Sequence, residues 1–219
     1  PVTIDNISST PYILTVSPTE TIDYKLTYVG DQYCDGTAVG NATIFVHPQP
    51  QSVYSFSGIC ESEETVFQNE ASIPAPGNIE SYLWDFDDNG ATSTEENPVY
   101  TFSTYGDFNV SLSVTSEKGC VDVFTETITV AQRVDANAGD DQVIDYGTNT
   151  TLEGSVSGGS GDYFFQWAPA DLVVDPQSLN TATNNLYDDQ YFTLTITDNV
   201  SGCVGESLVF VELDGYPLS

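Results

Sequence analysis

The sequence predicts an all-β chain built of tandem β-sandwiches, and three observations predict it. Only 16% of the residues are charged while 39% are hydrophobic, so exposed faces must be dressed by Thr, Ser, Asn and Gln, as strand faces commonly are. Apolar and polar residues alternate with period two in many short segments, which marks half-buried strands, and no 3.6-residue pattern runs long enough for a helix. The alternating texture also recurs at a fixed interval, the signature of repeated structural units.

The charge balance excludes several functions. The chain of 219 residues carries 33 acidic side chains against 3 Lys plus Arg, a formal charge of -30. Three cations do not neutralise a useful run of phosphates, which excludes a nucleic-acid partner, and anionic membrane surfaces are excluded on the same ground. The 39% hydrophobic and 12% aromatic content is enough to bury cores and offset chain entropy, so the acidity does not imply disorder. No apolar run approaches the roughly 20 residues of a membrane span. The opening Pro1-Val2-Thr3-Ile4-Asp5 has neither a basic leader region nor an initiator Met, and reads as a processed or excised segment. Four Cys beside so few Lys fit an oxidising, extracytoplasmic setting.

The repeats fix the organisation. Trp84 and Trp167 are 83 residues apart, as are Cys120 and Cys203. Between each Trp and its Cys, Phe108 to Thr115 corresponds to Tyr191 to Asp198, each alternating, and each followed by a Gly-Cys pair, Gly119-Cys120 or Gly202-Cys203. Final strands follow at Thr125 to Val130 and Leu208 to Leu213. The same tail occurs near the start, where Tyr24 to Val29 leads to Cys34 and Ala42 to Val46 makes the last strand. The position matching Trp84 falls before residue 1, so the first unit is read as lacking its opening strands.

Three units result: 1–48, the back half of a repeat; 49–131; and 132–214, with 215–219 opening a further linker. Short strands with turns at Pro76-Gly77, Asn89-Gly90, Gly158-Gly159 and Gly202 give sandwiches of immunoglobulin-like size. The joints, His47-Pro48-Gln49-Pro50-Gln51 and Ala131-Gln132-Arg133-Val134-Asp135, are short, and proline holds the first extended, so a semi-rigid, extended rod is expected. Trp84 and Trp167 sit among alternating apolar residues at fixed spacing to a second strand, which reads as the core plug of each sandwich.

In the middle unit, Tyr82-Leu83-Trp84-Asp85-Phe86-Asp87-Asp88-Asn89-Gly90, then Asn97-Pro98-Val99-Tyr100-Thr101-Phe102, then Tyr105-Gly106-Asp107-Phe108-Asn109-Val110-Ser111-Leu112, resembles the PKD domain, whose pattern runs W-D-F-G-D-G, N-P-x-H-x-Y and G-x-Y-x-V-x-L. The likeness departs at Asp87, where the family has Gly, and at the extra Asn89. The third unit, with Ala138-Gly139-Asp140-Asp141-Gln142, Gln166-Trp167-Ala168-Pro169 and Thr197-Asp198-Asn199-Val200-Ser201-Gly202-Cys203, is similar to PKD-like repeats of Bacteroidota surface proteins. The first, with Ser9-Thr10-Pro11-Tyr12 and Ala38-Val39-Gly40-Asn41-Ala42, is similar to the back half of another such repeat. Proteins of this kind include gliding-motility adhesins exported by the type IX secretion system.

The resemblance implies a non-enzymatic, extracellular repeat segment of a large cell-surface adhesin, serving as stalk and adhesion surface. The alternative is an accessory binding or spacer module of a secreted hydrolase, since PKD-like domains accompany catalytic domains. Neighbouring repeats of the same polypeptide, surface glycans or surface proteins are the partners either reading expects. By analogy with such repeats, Cys60 and Cys120 are expected to form a disulfide across the middle sandwich, worth roughly 4 kcal/mol on the chain-entropy relation. The position matching Cys60 in the third unit falls at Val143 to Asp145, so Cys203 is expected to be unpaired, with the partner of Cys34 lying in the absent front half.

The segment from Asp85 to Glu96 satisfies the twelve-position EF-hand pattern, with Asp85, Asp87, Asn89, Gly90 and Glu96 at its key places. Its context is strand, not helix-loop-helix, which rejects the EF-hand itself. Two readings stand: a Ca²⁺ site drawn from Asp85, Asp87, Asp88, Asn89 and Glu96, as some PKD-like domains of secreted collagenases use, or an acidic hairpin whose Asp residues shape turns. Asp135, Asp140 and Asp141 form a second acidic group at the second joint, open to the same two readings. No catalytic residues are assigned: the single His47 lies in a Pro-rich joint without a positioned acid-base partner, and neither Cys34 nor Cys203 has a basic activator nearby in sequence.

Overall fold

The structure, a computed structural model, describes residues 4, 5, 7 and 11–215. Pro1 to Thr3, the Ser9-Thr10 pair that opens the first-unit likeness, and residues 216–219 lie outside the described residues. The described chain is all-β apart from one 3₁₀ turn at Ala170–Leu172.

The first segment carries β1 (Ile22–Lys25), β2 (Val29–Gly30), β3 (Asp35–Gly36) and β4 (Asn41–Ile44), with β1 paired antiparallel to β4 and β2 to β3. The continuous strand expected over Tyr24 to Val29 is interrupted, and the last strand stops at Ile44 instead of Val46. Alternation alone does not hold a strand, because a two-stranded ribbon is marginal without a sheet to pack on. Here Leu26, Tyr28, Val29 and Phe45 remain exposed.

The middle segment has two facing sheets. One contains β5 (Tyr54–Ser57), β6 (Glu64–Asn69) and β9 (Val99–Thr101) in the order β5-β6-β9. The other contains β7 (Ile79–Asp85), β8 (Thr92–Ser93), β10 (Gly106–Ser116) and β11 (Val121–Val130) in the order β11-β10-β7-β8. Along β10, Phe108, Val110, Leu112 and Val114 all point inward, the period-two burial that the sequence shows. Trp84 is fully buried among Phe67, Phe86 and Phe102. Its indole N–H donates to the Glu95 carbonyl at 2.9 Å, and Tyr54 donates its hydroxyl to the Val110 carbonyl at 2.9 Å, so the polar tips of both rings are satisfied inside the core.

The third segment repeats the plan. β12 (Val134–Asn137) pairs with β15 (Ser155–Gly158), and β14 (Thr151–Glu153) with β17 (Asn180–Ala182). A four-stranded sheet runs in the order β13 (Gln142–Asp145), β19 (Val204–Asp214), β18 (Gln190–Asp198), β16 (Tyr163–Ala168). Strand β13 is parallel to β19, with Asp145 opposite Asp214. Trp167 is fully buried and donates to the Ser178 carbonyl at 3.0 Å, the counterpart of the Trp84 arrangement. Each sandwich has its own core, and Cys60 of the middle segment belongs to that of the third.

Truncating Trp84 removes the largest side chain of an aromatic core whose neighbours sit 5.1 to 5.4 Å away. Trp84→Ala is expected to cost the middle sandwich about 3–5 kcal/mol. Circular dichroism melting checks this, with Trp167 fluorescence reporting the third sandwich separately.

Candidate functional site

The feature that joins the two sandwiches is chemical. After β5 the chain turns at Gly58, whose φ of +79° and 2.5 Å approach of a built Cβ to the Glu64 carbonyl admit no side chain. Ile59 to Glu61 then runs parallel to the end of β11. The Ala131 N–H donates to the Ile59 carbonyl at 2.7 Å, and the Glu61 N–H to the Ala131 carbonyl at 2.9 Å. This brief strand corresponds to β13 in the third sandwich, which pairs with β19 in the same parallel sense. It carries Cys60 past the end of its own sandwich.

The receiving surface is the turn between β18 and β19. Asp198, 1% exposed, accepts the N–H groups of Ser160, Val200 and Ser201 and the Ser160 hydroxyl. Burial by itself would raise this carboxyl, but the N–H groups of Ser201, Ser160 and Val200 and the Ser160 hydroxyl outweigh it and hold the group well below the usual carboxylate range. The turn closes with the Asp198 N–H donating to the Cys203 carbonyl at 2.9 Å. Cys203, 1% exposed, is bonded through sulfur to Cys60, 8% exposed, with their Cα atoms 5.7 Å apart.

The expected Cys60–Cys120 disulfide is therefore corrected: Cys60 pairs with Cys203, and Cys120 is a free, half-buried thiol. The reason is strand length. Cys60 bridges Ala131 just beyond one end of β11, and Cys120 immediately precedes the other end of that ten-residue strand. Ten residues of strand span about 33 Å, whereas a disulfide needs Cα atoms within about 7 Å. The expectation of an unpaired Cys203 falls with it. The signal was present in the sequence: a cysteine in the turn before a sandwich's last strand lies at the pole facing the preceding unit, and Cys60 is displaced by the length of that strand from Cys120. Cys34, in the first segment, is free and exposed.

The backbone at this joint has no slack. Only Ala131, Gln132 and Arg133 separate β11 from β12. A Cβ on Gly205 would lie 2.3 Å from the Val134 carbonyl oxygen, and one on Gly158 would lie 2.1 Å from that of Arg133. Arg133 pairs with Asp135 at 2.9 Å in the open, a contact of little energetic weight, while its N–H reaches the Glu61 carboxylate at 3.3 Å.

In the acidic hairpin Asp85, Asp87 and Asp88 each accept hydrogen bonds from protein donors. The Asp85 carboxylate accepts the Asp87 N–H at 3.0 Å, and that of Asp87 accepts the N–H and side-chain amide of Asn109 at 3.0 and 3.2 Å. Asp88 is buried and holds the Tyr100 hydroxyl at 2.9 Å and the Asn89 amide at 2.7 Å. Burial first, and then this hydrogen bond and the Asp88 charge, push the Tyr100 phenol up to about 12. Glu96 lies instead beside Tyr82, whose phenol is raised by burial and by the Glu96 charge. Among the described residues no three His, Cys, Asp or Glu side chains converge as a metal-ligand group. Asp87 and Asn89 have φ of +55° and +51°, the left-handed region that Asp and Asn tolerate best after Gly, which explains why Asp stands where PKD domains have Gly.

At the second joint Asp135 is engaged by Arg133, and Asp141 accepts the Phe210 N–H at 2.7 Å. Asp140 and Asp141 line an open polar cleft with Glu153, Gln142 and Thr150. His47 and Lys118 line a recess of about 270 Å³ between the first and middle segments, with Phe45, Ile73 and Pro76.

Residues 46–131 match the family model described as the PKD domain. Collagenase ColQ1 of Bacillus cereus (strain Q1) is 38% identical over 97 residues, which are 42% of this chain and 10% of the collagenase. The pre-pro-metalloprotease PrtV of Vibrio cholerae is 44% identical over 66 residues, 30% of this chain and 7% of that protein. The chain thus spans about a tenth or less of these curated relatives. Among solved structures, the PKD1 domain of the same V. cholerae metalloprotease is 38% identical with a TM-score of 0.32, covering 39% of this chain and 98% of that domain. The PKD1 domain of Vibrio anguillarum Epp is 28% identical with a TM-score of 0.35, covering 39% and 96%. No helix among the described residues is long and apolar enough to cross a membrane.

Two outcomes follow from this geometry. The folded Asp198 value lies below the unfolded value of about 3.9, so its contribution is complete above about pH 4 and is lost as pH falls through the lowered folded value. Asp198→Asn is expected to lose about 1–3 kcal/mol at neutral pH and to show a flatter acid limb than the parent in stability against pH, measured by urea unfolding. At the hairpin, Asp87→Ala should be less stable than Asp87→Gly by about 1 kcal/mol, because only Gly takes a positive φ without cost. Thermal unfolding of the two variants checks the order.

Proposed function

We propose that this chain is a non-catalytic, extracellular spacer module of a secreted hydrolase, built of sandwich units at 49–131 and 132–214, which holds a catalytic domain at a set distance from its surroundings. The observation that carries the reading is the PKD match over 46–131 together with relatives that are collagenases and a metalloprotease, in which the matching stretch is a small part of the whole. The buried disulfide supports an oxidising, extracytoplasmic location. The site chemistry is compatible with a structural role: Asp198, Asp88 and Asp87 accept protein hydrogen bonds that hold turns. The Ca²⁺ reading of Asp85 to Glu96 is not needed for this role, since the hairpin is held by its own donors.

A second reading, a stalk segment of a cell-surface adhesin of the kind carrying repeated PKD-like units, is favoured by the covalent coupling of successive sandwiches, which suits a chain that must stay extended.

Fractionation of the source cells separates the two. An antibody against residues 49–214 is expected to detect, in the culture fluid, a polypeptide much larger than 23.7 kDa that mass spectrometry shows to carry a hydrolase domain. A species confined to the cell envelope and composed of further repeats would replace the first reading by the second.

A further inference from the structure

We propose that the Cys60–Cys203 disulfide is a tension bypass, which carries pulling force from one sandwich to the next and leaves the chain between them unloaded. The proposal builds on the spacer reading, because a module that links parts of a larger assembly is loaded through its two ends. The argument lies in where the cysteines fall relative to the strands. They are 143 positions apart in sequence, yet their Cα atoms are 5.7 Å apart. Strands β6 to β11 and β12 to β18 all lie between them, and only β5 of the middle sandwich and β19 of the third lie outside. Force entering along β5 reaches Cys60, crosses the sulfur bridge to Cys203 and leaves along β19. The backbone of the intervening strands, with both tryptophan cores, lies outside this covalent path.

The surroundings suit such a role. The bridge lies where the two sandwiches already meet: Cys60 is packed into the core of the third sandwich, the Arg133 N–H donates to the Glu61 carboxylate at 3.3 Å, and the strand that carries Cys60 is fastened to the end of β11 through Ala131. Each sulfur sits in a buried residue, which restricts access by an attacking thiolate, on which exchange depends. The turn that presents Cys203 is fastened by the four donors to Asp198.

Reduction removes the bypass. A dithiol attacks one sulfur as thiolate, the Sγ–Sγ bond breaks and a mixed disulfide forms. The reagent's second thiolate then closes a cyclic disulfide, releasing Cys60 and Cys203 as thiols that have gained two electrons and two protons. Force then runs through the whole backbone, which adds on the order of 500 Å of extensible chain at about 3.6 Å per residue.

Single-molecule pulling on the oxidised 219-residue chain, held by its two ends at constant force, tests this. Without reductant the final extension is expected to fall short of the fully stretched chain by about 500 Å. Adding dithiothreitol is expected to produce a later, discrete lengthening of that size in each molecule. Full extension without reductant, or the absence of any added step with it, would overturn the proposal. The readout needs no variant and does not depend on location or on an attached hydrolase, so failure of the spacer reading in fractionation and failure of the bypass in pulling are separate results.

Discussion

The covalent coupling of the two sandwiches depends on one constraint: the short strand around Cys60 pairs in parallel with the chain just beyond the end of β11. The Ala131 hydrogen bonds on both sides of Cys60 fix its side chain beyond its own core, among Val134, Ala138 and Cys203. From there the disulfide, the close glycine contacts at Gly158 and Gly205 and the three-residue connection all follow. On the chain-entropy relation, closing a loop of this length contributes roughly 5 kcal/mol. That is comparable to the total stability of a small domain, so one bond between units weighs as much as much of the packing within one.

The charge of -30 takes a different meaning once the carboxylates have partners. With three cations in the chain, the acids find few salt bridges. They accept backbone N–H groups in turns instead, as Asp31 does for Tyr33 and Cys34, Asp141 for Phe210 and Asp198 for three residues at once. A carboxylate that replaces a missing backbone acceptor stabilises a turn by charge-assisted hydrogen bonding. The acidic hairpin at Asp85 to Asn89 works in this way, and its left-handed residues show that the same side chains that look like cation ligands in sequence are also those that a tight turn demands.

Alternation was enough to locate β10 and β18, where the inward positions are apolar up to Val114 and Ile196 and only the last of each strand, Ser116 and Asp198, is polar. It failed over Tyr24 to Val29, where Leu26, Tyr28 and Val29 stay exposed and the strand breaks. The fixed spacing of Trp84 and Trp167 placed the core plugs, since a large ring among alternating apolar residues has few other places to go. The cysteine pairing was misplaced because a resemblance supplied a partner within one sandwich, whereas the length of β11 puts Cys60 and Cys120 at opposite poles.

What the sequence by itself determined is therefore local and periodic: the all-β class, the 83-residue interval between equivalent Trp and Cys residues, the inward faces of the long strands and the acidic turns. The inward faces and the turns depend on neighbours two to four positions apart and the interval on repetition along the chain, both of which the chain order contains. What only the tertiary structure decided is which distant groups meet: Cys60 with Cys203, Asp87 with Asn109, Asp88 with Tyr100. Those contacts depend on strand pairing and on the direction in which one sandwich follows the next, and a contact between residues 143 positions apart is set by geometry that no short window of sequence records.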